Sequence, residues 1–327
     1  MKEITSPEAD FEEKESENSL RPRDFSEFIG QNRLVENLKI FIEAAKKRNE
    51  PLDHTLFSGP PGLGKTTLAG IIGKEMKSNI LSTSGPILER PGDLASILTN
   101  LKEFDCLFID EIHRINKAVS ELLYSAMEDF NIDILLGKGA SARSIKLSLP
   151  KFTLIGATTR QGMLTSPLRN RFGISEVVSF YSIDDLFSII LRSSRILNIE
   201  TEKDATHLIA KRGRGTPRIA NRLLRRIRDY AQVKGTGRIT RQIAEETLER
   251  LEVDRFGLDS MDRRILDILI NKFQGRAIGI KTLSASLEED ERTISEVYEP
   301  YLLKIGFIER TPKGRKPTES AIAYLNQ

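Results

Sequence analysis

Residues 54–67 read HTLFSGPPGLGKTT, and this stretch decides the fold. HTLFS is a short apolar run of strand type, GPPGLG a glycine-rich turn, and KTT the start of a helix. Gly59 to Thr66 match G-x-x-x-x-G-K-[ST], the pattern of a loop whose backbone N–H groups converge on one anion. The helix that opens at Lys65 adds the positive end of its dipole. Lys65 can neutralise the outer phosphates of a nucleoside triphosphate, and the Thr66 hydroxyl can ligate Mg²⁺.

Outward from this loop, CLFID at 106–110 and FTLIGA at 152–157 are further short apolar runs, of the kind that fill a buried parallel sheet. Helical stretches lie between them, so 21–181 reads as an α/β unit with a parallel sheet. NRLVENLKIFIEAAKK at 32–47 places Leu34, Leu38, Phe41, Ile42 and Ala45 at helical spacing, with Asn32 as its cap. Asp110 and Glu111 end the CLFID strand. A carboxylate there can hold Mg²⁺ through water, and its neighbour can take the proton of an attacking water. An Asp-Glu pair can equally cap the following helix. Thr158 follows FTLIGA, either to touch a γ-phosphate or attacking water, or to cap a helix. Arg169 and Arg171 lie in SPLRNRF, where one arginine can stabilise transition-state charge on a neighbour's nucleotide. His113, one turn beyond Glu111, reads as structural.

NIDILLGKGASARSIKLSL at 131–149 alternates apolar and polar residues on both sides of GKGAS, a β-hairpin pattern. It is either an inert surface hairpin or an arm for a partner or DNA. ATHLIAKR, TPRIANRLLRRIRDYAQ and RQIAEETLERL carry helical periodicity, which predicts a small helical bundle. From 256 the order is three helices and then two strands, GFIERTPKGRKPTE, the winged form of a helix-turn-helix. Its tip holds Arg310, Lys313, Arg315 and Lys316.

The 327 residues predict two or three domains. One cysteine excludes an internal disulfide, and three scattered histidines argue against a histidine metal site. No apolar run approaches a membrane span, and the acidic N-terminus lacks the apolar core of a secretory signal. A cytoplasmic protein is expected. Residues 1–20 carry seven acids and two lysines, which predicts a mobile tail over 1–19. Residues 182–253 carry fifteen Lys/Arg against ten Asp/Glu. The expected organisation is a tail at 1–19, a large domain at 20–181, a helical lid at 182–255 and a winged helix at 256–327.

GPPGLGKTT, LFIDEIHR, GATTR, SPLRNRFG and RGTPRIANRLLRR together resemble the AAA+ ATPases. More narrowly, with MEDF at 127–130 and EPYLLKIGFIERTPKGR at 299–315, the chain resembles the RuvB family of Holliday-junction branch-migration motors. The resemblance implies a role for each matched position. Gly62, Gly64, Lys65, Thr66 and Thr67 would hold ATP or ADP, with Thr66 and Asp110 toward Mg²⁺. Glu111 would direct the attacking water, and Thr158 would be the polar sensor. Arg171, or else Arg169, would be the finger reaching the next subunit, and Arg218 a second sensor. Leu20, Arg21 and Tyr181 would surround the adenine, and Glu128, Asp129 and Phe130 join the nucleotide-binding set. Arg292, Arg310 and Arg315 would contact DNA. The implied partners are duplex DNA and the Holliday junction, a RuvA-like protein docked on the 131–149 hairpin, a RuvC-like resolvase in the same assembly, and further copies in a ring, as a hexamer. A winged-helix transcription regulator with an ATPase switch and a clamp-loader-like ATPase remain as alternatives.

Overall fold

The computed structural model describes residues 19–136 and 143–326. The acidic tail and the GKGAS tip of the hairpin lie outside the described residues. The chain forms two compact units, one from 21–59 and 64–179, the other from Leu20, 60–63 and 180–326.

The first unit is built on β1 (Thr55–Ser58), buried at every position. Four parallel partners complete its sheet: β2 (Ile80–Ser84), β3 (Cys106–Asp110), β6 (Thr153–Thr158) and β7 (Ile174–Val177), in the order β2-β3-β6-β1-β7. All six positions of β6 are buried, as expected of a central strand with both faces covered. Register places Ser58 beside Thr158 and Ser84 beside Asp110, so the strand ends that carry polar residues line one edge. Ligands of open α/β sheets bind outside that carboxyl edge. Leu56, Leu107, Ile109 and Leu154 from the strands pack with Leu94, Leu98, Leu123 and Met127 from the helices α3 (Pro91–Thr99) and α4 (Lys117–Asp129).

Helix α1 spans Asn32–Arg48 and buries Leu34, Val35, Leu38, Ile42 and Ala45. Its cap differs from the expectation. Gln31, in the left-handed conformation, is the capping residue, and Asn32 is the first helical one. The Gln31 amide instead donates to the Ser179 carbonyl (2.6 Å) and accepts the Ser179 N–H (3.3 Å), which ties the helix start to the chain beyond β7.

His54 sets a pH limit on this unit. Its Nδ1 accepts the Leu154 N–H (2.9 Å), so Nε2 carries the proton and donates to the Met127 carbonyl (3.1 Å). Burial pushes its pKa below the usual value, against the opposing pull of Met127 and Asp53. The folded state therefore refuses a proton that the unfolded chain takes up as pH falls through about 6.5. Stability should decline with pH below that point. His54→Gln should flatten this dependence in denaturation midpoints measured between about pH 8 and 5.5.

The hairpin is present as β4 (Asn131–Leu136) and β5 (Arg143–Ser148), antiparallel, with Ile134 opposite Ile145. Its root is fixed: Ile132 and Leu149 are buried in the core, and Leu149 N–H donates to the Phe130 carbonyl (2.7 Å). Farther out, Ile145 is 43% exposed. The Ile134, Leu135 and Leu136 side chains lie outside the described set.

The second unit joins a four-helix lid to a winged helix. The lid comprises α6 (Ile183–Ile196), α7 (Lys203–Arg212), α8 (Pro217–Lys234) and α9 (Arg241–Arg250). A capping box of Ser182 and Asp185 starts α6. Ala220, Leu223, Leu224, Ile227 and Ala231 form the buried stripe of α8. The winged part holds α10 (Ser260–Asp267), α11 (Ile280–Leu287) and a helix made of α12 (Glu291–Thr293), a π-helical stretch Ile294–Tyr298 and α13 (Glu299–Lys304). Strands β8 (Ile308–Thr311) and β9 (Gly314–Pro317) make the wing. The sequence reading stops at these strands, yet Glu319–Leu325 forms one more helix, α14, capped by Thr318 and anchored by buried Ala321. Among the described residues no helix is long and apolar enough to cross a membrane.

Candidate functional site

In the first unit the site sits at the carboxyl edge of β1, β3 and β6. Gly64, at φ 103°, turns the chain into α2 (Lys65–Glu75), a conformation that side chains resist. Lys65 is buried, and its ammonium donates to the Gly59 carbonyl (2.7 Å), so the charge lies folded over the loop that would cradle phosphate. Thr66 and Thr67 follow in the first turn of α2, both half-buried.

Asp110 and Glu111 leave β3 together. Asp110 Oδ1 accepts the Glu111 N–H (3.0 Å). Glu111 itself is left-handed (φ 46°, ψ 47°), which costs an ordinary residue about 1–2 kcal/mol. The neighbouring turn presses on it. A Cβ on Gly85 would lie 2.4 Å from the Glu111 carbonyl oxygen, so only glycine lets the chain after β2 approach this closely. Strain held in place by such packing is characteristic of functional residues.

The Glu111 carboxylate is half-buried and well supplied with donors. Thr159 gives both its N–H (3.2 Å) and its hydroxyl (3.0 Å) to Oε2, and His113 Nδ1 lies 3.1 Å away. A carboxylate cannot donate, so this network places the proton of His113 on Nδ1. Burial pushes the Glu111 pKa up. The hydrogen bonds from His113 and the Thr159 backbone, with the His113 and Lys65 charges, outweigh it and bring the value below the ordinary one. Glu111 is thus held ionised.

Two of these contacts were not legible in the sequence. Thr158, the expected sensor, is fully buried, with its hydroxyl accepting the Arg160 N–H (3.0 Å) and lying 3.0 Å from His113. The threonine that reaches Glu111 is the next one, Thr159. His113 links the two. Strand alternation could have signalled this, because neighbouring positions point to opposite sides.

Arg171 caps α5 (Ser166–Asn170) and lies over the Tyr124 ring, 4.9 Å from its centroid. It donates to Glu128 (2.5 Å) and to the Pro167 carbonyl (2.9 Å). Arg169 is exposed on α5. Asp129 is exposed, whereas Phe130 stacks edge-on against Phe152 (5.8 Å) and so serves the core beneath the hairpin. Arg21 is half-buried.

In the second unit, Tyr181 is buried and its hydroxyl donates to the Leu63 carbonyl (3.1 Å). The Arg218 N–H approaches the Gly62 carbonyl (3.4 Å). The tip of the phosphate loop is therefore fastened to the start of the lid and to the first turn of α8. Leu20 is also buried here, its carbonyl accepting from Arg192 (2.8 Å).

The wing carries the basic cluster. Glu299, 1% exposed, accepts from both wing strands: Arg310 Nε at 2.6 Å, and Arg315 through Nε (3.1 Å) and Nη2 (3.0 Å). Arg315 is 18% exposed and Arg310 is 59% exposed. Arg315 thus closes the fold of the wing, while Arg310 keeps an open face. Lys313 and Arg292 are exposed.

A phosphate loop, a strand-end Asp-Glu pair, a polar sensor strand and an arginine-bearing helical lid define an AAA+ ATPase. Sequence profiles narrow the class. The Holliday junction DNA helicase RuvB P-loop domain matches residues 20–178, the RuvB AAA lid domain 181–254, and the RuvB C-terminal winged helix domain 255–326. A lysine-to-arginine variant of Thermotoga maritima RuvB is 51% identical, over 94% of this chain and 98% of that one, with a TM-score of 0.88. A second Thermotoga maritima structure, described as the RuvB Holliday junction branch migration motor, is 50% identical over the same shares, with a TM-score of 0.87. The chain belongs to the RuvB family of ATP-driven Holliday-junction branch-migration helicases.

Proposed function

We propose that this chain works as a ring-forming, ATP-hydrolysing translocase on duplex DNA that moves Holliday junctions in recombination and repair, in the cytoplasm. The observation that carries the chemistry is Glu111: strained, ionised and held by Thr159 and His113 at the edge where the phosphate loop lies. Glu111 accepts a proton from the water that attacks the γ-phosphorus. Thr159, more than Thr158, senses whether that phosphate is present, because its hydroxyl touches the base directly.

The donor set fits Mg²⁺. Thr66 and Asp110 offer hard oxygens, and among the described residues there is no group of three His, Cys, Asp or Glu to cage a metal. A cation held by few protein oxygens and by substrate phosphates is the usual magnesium arrangement. Bound there, Mg²⁺ would neutralise charge on the phosphates.

Arg171 is the finger that reaches the ATP of the next subunit, and Arg218 reads the nucleotide from the lid. Leu20, Arg21 and Tyr181 enclose the base. The hairpin docks a RuvA-like protein, its fixed root and exposed Ile145 supporting that reading. A hexamer and a RuvC-like resolvase complete the assembly.

The wing contacts phosphates, which suits translocation on any sequence. Arg310→Ala should weaken duplex binding uniformly and flatten its salt slope by about one, as loss of one phosphate contact predicts. Arg315→Ala should also lower the melting temperature. It leaves buried Glu299 with Arg310 alone, and a buried acceptor short of its partner costs about 1–3 kcal/mol. Binding titrations over several salt concentrations, with melting curves, separate the two effects.

The test of function is ATP hydrolysis with no DNA, a long duplex or a four-way junction, with and without the RuvA-like partner. Stimulation by DNA of any sequence, and junction unlinking with the partner present, is expected. One operator bound far more tightly than random duplex would instead support a transcription regulator. Trimming 134–146 should remove partner binding and spare basal hydrolysis.

A further inference from the structure

The seam between lid and winged helix contains a buried charge pair, apart from the residues assigned above to nucleotide and DNA. Arg214, in the left-handed conformation (φ 56°), lies between α7 and α8. Its guanidinium pairs with Asp262 of α10, and both side chains are almost wholly buried, at 1% and 0% exposure. Arg214 Nε also donates to the Gly257 carbonyl (2.6 Å), and its guanidinium lies 5.0 Å from the centre of the Tyr301 ring. Tyr301, in turn, donates its hydroxyl to the Phe256 carbonyl (2.7 Å). One lid side chain thus grips the connecting segment, the first helix and the third helix of the winged part.

Other contacts run the length of the same seam. Arg212 donates to the Arg255 carbonyl. Arg263 of α10 reaches back to the Glu252 carbonyl (2.8 Å). Lys304, at the end of α13, sits over the Phe180 ring at 4.4 Å. Asp262 has a second task, since it forms the reciprocal capping box of α10 with Asp259 (both contacts 3.0 Å). The start of that helix is therefore fixed by the same carboxylate that holds Arg214.

Arg214 stands one residue before Gly215, whose carbonyl accepts the Tyr181 N–H (2.9 Å), and four before Arg218. The chain that reads the nucleotide and the chain that grips the winged part are one short segment, 214–218.

We infer that lid and winged helix act as a single stiff arm, and that the Arg214–Asp262 pair is the joint that makes nucleotide-driven lid movement arrive at the DNA without slack. Arg214 and Asp262 are positioning residues. They take no part in hydrolysis or in DNA contact. Buried pairs of this kind are often no more stabilising than apolar replacements of similar size, so a role in fixing one geometry explains the pair better than stability does. The inference rests on the motor reading above.

The test measures ATP consumed per junction unlinked, with the full protein and its RuvA-like partner. Asp262→Asn keeps the shape and an acceptor for the α10 cap while removing the charge. Arg214→Met combined with Asp262→Leu replaces the pair by apolar side chains and keeps the seam filled should the single variant fold poorly. In either variant the ATP cost per junction should rise about tenfold, in the range expected for coupling through packed elements. Hydrolysis without DNA and affinity for duplex should stay within about twofold of wild type. An unchanged ATP cost in a folded variant would overturn the inference, as would hydrolysis and unlinking falling by the same factor. Failure of the wild-type protein to unlink junctions would instead sink the motor reading itself.

Discussion

Glu111→Gln should slow ATP turnover by about 10²–10⁴-fold, the usual contribution of a general base. ATP affinity should stay within about twofold, since the change removes no group that reaches the loop. Gln keeps the size of the side chain and an oxygen that can accept from Thr159, so the strained turn at 111 should survive. What it loses is the ability to take a proton. Single-turnover hydrolysis and nucleotide titration on the same preparation check both halves. Normal turnover would mean another group activates the water. The pH profile adds an independent check. Hydrogen bonds and positive charge outweigh burial and hold the Glu111 pKa below its ordinary value. The base is protonated only as pH falls through that lowered value, below the ordinary glutamate range. Turnover should therefore show no acid limb from Glu111 between neutrality and that range. A limb near pH 6 in wild type that persists in the residual activity of Glu111→Gln would belong to a different group.

The sequence carried much of this architecture because its strongest signals are local. A glycine-rich turn between an apolar strand and a helix has few alternative readings, and the winged part announces itself through helix periodicity followed by a short basic hairpin. Contacts between distant segments were less legible. Which of Thr158 and Thr159 reaches Glu111 depends on how the chain leaves β6, and it is Thr159 that donates both its N–H and its hydroxyl to that carboxylate. Arg315 and Arg310 look alike in ERTPKGRK, yet buried Glu299, more than ten residues earlier, binds one with two nitrogens and the other with one. His113 read as an ordinary structural histidine, and only the fold brings its ring to Glu111. The Arg214–Asp262 pair spans 48 residues, and nothing in its local sequence distinguishes it from other charges on the lid.

Arg171→Ala should reduce hydrolysis in the assembled ring by about 10³-fold or more, as removal of a finger does in other nucleotide hydrolases. ATP binding by a single chain should be unaffected. The contacts of Arg171 explain how it can be both ordered and available. It rests on Tyr124 and is tied to Glu128, a side chain 61% exposed. An ion pair that open to solvent is worth at most about 1 kcal/mol. A 10³-fold effect corresponds to about 4 kcal/mol of transition-state stabilisation, so exchanging Glu128 for a neighbour's γ-phosphate is favourable by a wide margin. Arg169 lacks that cradle and should tolerate the same change. The decisive experiment mixes two inactive proteins. Arg171→Ala subunits keep Glu111, and Glu111→Gln subunits keep Arg171. Wherever a Glu111→Gln subunit lends its finger to an Arg171→Ala neighbour, a complete site exists. If the finger acts between subunits, mixed rings should recover a substantial part of wild-type hydrolysis, greatest near equal proportions. If Arg171 serves its own nucleotide, every site in every mixture lacks one essential group. Mixing then restores nothing, and the assignment of Arg171 as a finger for the next subunit fails.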